Sequence, residues 1–104
     1  MKTLETLRQQ LSRGEFEFSR HAFRRAVERN ISETEIGQAG ANANIIEDYP
    51  NDPRGTSCLI LGRVGHRPLH ILFAQLEAQE ILVVTAYEPD PEEWEDDWQT
   101  RKAR

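Results

Sequence analysis

Apolar positions recur at helical spacing in the first third of the chain and at strand spacing beyond it. Leu4, Leu7 and Leu11 lie three and four residues apart, and Gly14 is a natural stop, so residues 2–13 read as an amphipathic helix. A second helix is expected from Ser19 to Asn30, with Ser19 as its cap. Wound at about 100° per residue, it places Ala22, Phe23, Ala26, Val27 and Asn30 on one arc. His21, Arg24, Arg25, Glu28 and Arg29 fall on the other. Phe18 and Phe23 are spaced as a hydrophobic staple across the cap. Ser32-Glu33-Thr34-Glu35 is a capping box, and Ile31 with Ile36 repeats the staple. A short third helix therefore starts there and fades near Gly37–Gly40.

From Asn44 the pattern changes. Ile45 to Tyr49 reads as a strand ended by Pro50, and residues 51–55 are dense with turn formers. Thr56 to Val64 is apolar on both faces around Cys58-Leu59-Ile60-Leu61, as a central strand would be. Gly65 to Pro68 turns into Leu69–Ala74, and a short connection near Glu77–Gln79 leads to Ile81–Tyr87. Short connections predict an antiparallel meander, with the strand near residue 45 paired to the one beginning near residue 56. Asp90-Pro91-Glu92-Glu93 carries the signals of a helix start; Arg101, Lys102 and Arg104 suit its last turn. Trp94 and Trp98 would share one face of that helix. The expectation is one α+β domain over residues 1–104, ordered α-α-α-β-β-β-β-α. Its helices pack on a four-stranded antiparallel sheet, with the Phe23/Val27 face of the second helix against it.

Composition narrows the class. No run approaches the roughly 18 apolar residues of a membrane span, and Glu5 and Arg8 follow Met1–Leu4 too closely for a signal peptide. A cytoplasmic, non-membrane protein is the default. The single cysteine, Cys58, excludes an internal disulfide framework and a cysteine-based zinc finger, and its apolar neighbours suggest a buried thiol. Net charge is −5, which argues against general nucleic-acid binding. The charge is uneven, however: residues 1–30 carry net +3 and residues 88–97 net −7. A local basic surface is therefore compatible with an acidic protein. The acidic block reads either as helix-end electrostatics or as a flap lying near the basic helix and competing with RNA for it.

Candidate chemistry centres on the polar arc of the second helix. An imidazole titrates near neutrality, so a neutral His21 can accept a proton. Arg24, Arg25 and Arg29 offer directed N–H donors to a phosphate, and Arg63 projects towards the exposed end of its strand. Tyr87, ending the last strand, could share a proton or stack on a base. His70 alternates with Leu72 and Ala74 and also fits a hydrogen-bonded, half-core role. His66 and His70 lack a third ligand at useful spacing, so neither a metal site nor a cofactor is expected. Phosphate-loop, dinucleotide, nucleophile-elbow and CxxC signatures are absent.

A resemblance adds to this. Phe18-Ser19-Arg20-His21-Ala22, Arg25 and Glu28-Arg29-Asn30-Ile31 resemble the opening of a prokaryotic domain family of unknown function. So do Ile45-Ile46-Glu47 before Tyr49, Leu61-Gly62, Pro68-Leu69-His70-Ile71 and Thr85-Ala86-Tyr87-Glu88-Pro89, together covering residues 16–98. That family is similar to BrnT and, more distantly, to RelE-type ribonuclease toxins. The resemblance implies a RelE/BrnT-like fold and metal-independent endoribonuclease activity, in which a ribose 2′-hydroxyl attacks the adjacent phosphorus. It implies catalytic roles for His21, Arg25, His70 and Tyr87; Arg24, Arg29 and Arg63 join them as RNA-binding residues by placement. Expected partners are RNA, ribosome-associated or free, and an antitoxin-like protein, in some members with a zinc finger. The alternative is a non-catalytic interaction module of the same fold that binds such a protein.

Overall fold

Each helix starts where a side-chain oxygen takes up an orphan backbone N–H. In the computed structural model, which describes residues 3–53, 55–76 and 80–103, the helices are α1 (Leu4–Ser12), α2 (Arg20–Glu28) and α3 (Glu33–Ala41). The Glu77–Gln79 connection, Arg54 and the terminal Met1, Lys2 and Arg104 lie outside the described residues. Thr3, Ser19 and Ser32 cap the three helices by accepting from Thr6, Ala22 and Glu35. Ser32 and Glu35 complete the expected capping box. Phe18 and Phe23 meet edge to face at 5.9 Å, as the staple requires. α1 and α2 both end in paired 5→2 and 6→1 bonds closed by a left-handed residue, Gly14 (φ 73°) and Asn30 (φ 57°).

The strands are β1 (Glu17–Phe18), β2 (Asn44–Tyr49), β3 (Ser57–Val64), β4 (Arg67–Gln75) and β5 (Ile81–Tyr87). They form one sheet in the order β1-β5-β4-β3-β2. β2 to β5 are the expected antiparallel meander, with β2 on β3. Among the described residues the sheet nevertheless has five strands, not four, because β1 joins β5 in parallel. A two-residue strand pairing across more than sixty positions leaves no periodicity to read.

The two faces of the sheet are covered differently. Cys58, Ile60, Leu69, Ile71, Phe73 and Val83 pack with Leu7 and Leu11 of α1, Ala22 and Ala26 of α2, and Ile36 and Ala39 of α3. α3 lies directly on β3 at Gly62, where an added Cβ would stand 2.0 Å from the Ala39 carbonyl oxygen. Leu59, Leu61 and His70 are buried on the other face, where the segment that follows β5 covers His70. That segment corrects a second expectation: among the described residues, 88–103 form turns and one isolated Trp94–Arg101 bridge, not a helix. Asp90 accepts from the Glu92 N–H, and Asp97 accepts from the N–H groups of Gln99 and Thr100. Side-chain turns of this kind compete with the helical ladder. Trp98, at φ 59°, breaks it outright.

The packing face of α2 is a third correction. Ala22 and Ala26 are its buried residues, whereas Phe23 is 53% and Val27 64% exposed. Alanine lets the helix axis approach the sheet closely, and the larger residues on the same arc are left on the flank.

Candidate functional site

With Ala22 and Ala26 turned inward, helical winding places Arg24 at the crest of α2. One flank then carries Phe23 and Val27, the other His21, Arg25 and Glu28, and all six side chains are exposed. Arg25 donates to Glu28 at 3.0 Å, an open i,i+3 pair that solvent weakens. His21 and Arg25 are one turn apart, so their Cβ atoms are neighbours at about 5–6 Å. Arg20, Arg24, Arg25 and Arg29 against Glu28 leave this helix strongly cationic.

The end of α2 is fixed by two arginines. Arg29 donates to the Thr85 hydroxyl at 3.2 Å and to the Ala86 carbonyl at 2.9 Å, tying the helix to β5. Arg67, which the sequence did not single out, donates to the carbonyls of Arg29 and Asn30 and to Glu35. It also pairs with Glu88 at 3.1 Å. The Ser32 backbone N–H, followed by Arg67, holds the Glu35 carboxyl below its ordinary range. One guanidinium therefore joins α2, α3 and the exit of β5.

His70 and Tyr87 belong elsewhere. They are register partners on β4 and β5, on the face turned away from the helices. His70 is fully buried, edge-on to the Trp94 ring at 4.5 Å. Its Nε2 lies 2.7 Å from the Trp98 carbonyl, which can only accept, so Nε2 carries the proton. Nδ1 of the neutral ring then accepts from the Tyr87 hydroxyl at 3.3 Å. Burial lowers the imidazole's pKa, with the Trp98 bond opposing, and burial also raises that of Tyr87.

Over this pair lies a second layer. Arg101 stands 4.5 Å above the Trp94 ring and makes two bonds to Glu47, of 2.7 and 3.0 Å. The Tyr49 hydroxyl donates to the same carboxylate. Glu47 is held below the ordinary carboxyl range chiefly by Arg101, whose own pKa is raised by the pairing. Sequence reasoning missed Glu47, Trp94 and Arg101 as one cluster. The alternation of Glu47 with Tyr49 was visible, but no local pattern brings Arg101 to β2.

The structure thus divides the candidate residues. His21, Arg24 and Arg25 come together in solvent; His70 and Tyr87 come together on the opposite face. Among the described residues no hydrogen bond or ring contact links the two groups. Arg63 is exposed at the end of β3, with its backbone bonded in both directions to the side chain of Asn42. Cys58 is buried, and its thiol is pushed up to about 12, which leaves it protonated and unreactive. No group of three or more His, Cys, Asp or Glu among the described residues could hold a metal ion, and none of the described helices is long and apolar enough to cross a membrane.

A family profile, a domain of unknown function designated DUF4258, matches residues 18–88. The chain belongs to the DUF4258 family. The matched span begins at the Phe18 staple and ends just past Tyr87, so it contains α2, α3 and the whole meander. α1 and the Trp94–Arg101 layer lie outside it. No curated protein and no solved structure matches the chain.

Proposed function

We propose that this DUF4258 domain is a toxin-like, metal-independent endoribonuclease whose RNA-facing surface is the outer flank of α2. The observation that carries the reading is the exposure of His21 beside Arg25, with Arg24 at the crest. His21 takes the proton of a ribose 2′-hydroxyl as its oxygen attacks the adjacent phosphorus. Arg25 and Arg24 bear the charge that develops on the phosphoryl oxygens. The O5′ bond breaks, water supplies the leaving oxygen's proton, and a 2′,3′-cyclic phosphate and a 5′-hydroxyl result. His70 and Tyr87, implied as catalytic by the resemblance to RelE-type toxins, are assigned here to holding the C-terminal segment. Arg29 serves mainly to seat α2 on β5.

A second reading, a non-catalytic interaction module, is favoured by the exposed Phe23 and Val27. An RNase surface has no need of two bare apolar side chains; a protein-binding one does. Induced expression of the chain alone separates the two. Growth arrest with cleaved cellular RNA supports the ribonuclease, whereas unaffected growth with folded protein present supports the module.

A further inference from the structure

Among the described residues β1 ends the sheet, and no further strand pairs with its outer side. Glu17 pairs with Leu82 and Phe18 with Val83, and the Ser19 N–H donates to the Val83 carbonyl. In a parallel ladder of this register, the backbone groups of Glu17 face β5, and the N–H and C=O of Phe18 point to the open side. Outside the β1–β5 ladder, neither Phe18 group makes a backbone–backbone hydrogen bond among the described residues. Such an edge is a template for another strand.

The surroundings select the occupant. Phe16, Phe18 and Phe23 form a row in which successive rings meet edge to face at 5.7 and 5.9 Å. A concavity of about 540 Å³ lies on the Phe23 side of β1, and one of about 520 Å³ on the Ile81 side. Glu17 and Glu33 line the first, Glu15, Glu17 and Glu80 the second, and Arg20 is the cation among them. RNA phosphates meet repulsion here. A second copy of the chain would set these carboxylates against themselves.

We propose that this edge receives an extended, cationic segment of a partner protein, added beside β1 as a further strand. Its apolar side chains lie on the Phe16–Phe18–Phe23 row and its Lys or Arg side chains reach Glu17 and Glu33. Backbone bonds to Phe18 supply part of the affinity, and the alternating side chains supply the selectivity. The proposal does not depend on the ribonuclease reading.

The test uses a fluorescein-labelled synthetic peptide of eight residues alternating Lys and Val, and a twin with Glu in place of Lys. Both are titrated into the full chain by fluorescence anisotropy, and exchange of the Phe18 amide is followed by NMR. The Lys peptide should saturate the protein and slow that exchange, while the Glu twin should not bind. The Glu17→Lys/Glu33→Lys variant should weaken the Lys peptide by about tenfold or more while its circular dichroism spectrum stays that of the wild type. Its melting temperature should be slightly lower, because Lys replaces an acid at the first position of α3. Failure of the Lys peptide to saturate, equal binding of the two peptides, unchanged affinity in the double variant or an unprotected Phe18 amide overturns the proposal. RNA cleavage by the double variant should equal that of the wild type, which keeps this test separate from the ribonuclease reading.

Discussion

The Nε2–H of His70 donates to the backbone carbonyl of Trp98 at 2.7 Å, a bond from the sheet to a segment that has almost no regular structure. His70→Leu keeps the volume roughly constant but leaves that carbonyl and the Tyr87 hydroxyl without their partner. The expected loss is about 2–4 kcal/mol of unfolding free energy. Urea denaturation followed by tryptophan fluorescence measures it, and a loss within error of zero would remove the latch role given to His70.

The same ring makes stability depend on pH. Burial lowers the pKa of His70 in the folded state, so the unfolded chain binds the proton more readily. Its contribution is complete above the unfolded value of about 6.5 and fades as pH falls through the folded value. Glu47, also lowered, adds a further loss below the ordinary carboxyl range. Melting temperature should therefore decline from pH 7.5 to 5. In His70→Asn the part of that slope above pH 5.5 should flatten; an unchanged slope would contradict the assignment.

Arg101 stands over Trp94 and grips Glu47, yet it is more than half exposed. Solvent screening limits the pair, and Arg101→Ala should cost about 0.5–1 kcal/mol. The sharper readout is optical. Removing the guanidinium uncovers a ring that is 2% exposed, so the emission of Trp94 should shift to the red.

Gly62 tests how α3 rests on the sheet. A methyl group there would overlap backbone, which cannot rotate away as a side chain can. Gly62→Ala should destabilise by about 3 kcal/mol or more, or prevent folding. A melting temperature within a degree of the wild type would mean that α3 can lift from β3.

Where sequence carried local chemistry, it was legible. Ser19, Ser32 and Glu35 announce helix starts, and the apolar run Cys58–Leu61 announces a strand covered on both faces. What it could not show depended on contacts made at long range. Helical winding puts Ala22, Phe23, Ala26 and Val27 on one arc, and only the distance between α2 and β5 decides that alanine faces inward. Asp90-Pro91 mimics a helix start, but Asp97 diverts two N–H groups and Trp94 is drawn onto His70. The His21/Arg25 flank was readable because it lies on one helix. The separation of His70 and Tyr87 from it was not, since strand alternation fixes a face without saying what covers that face.

Cleavage of a single-stranded RNA by purified wild type and His21→Ala, each with its melting temperature, tests whether His21 is the general base. His21 is exposed and outside the packed arc of α2, so the variant should melt with the wild type. Its cleavage rate should fall by about 10²–10⁴-fold, the contribution of a general base. Arg25→Ala should lose both RNA affinity and turnover. Full cleavage by His21→Ala, or no cleavage by the folded wild type, would contradict the account.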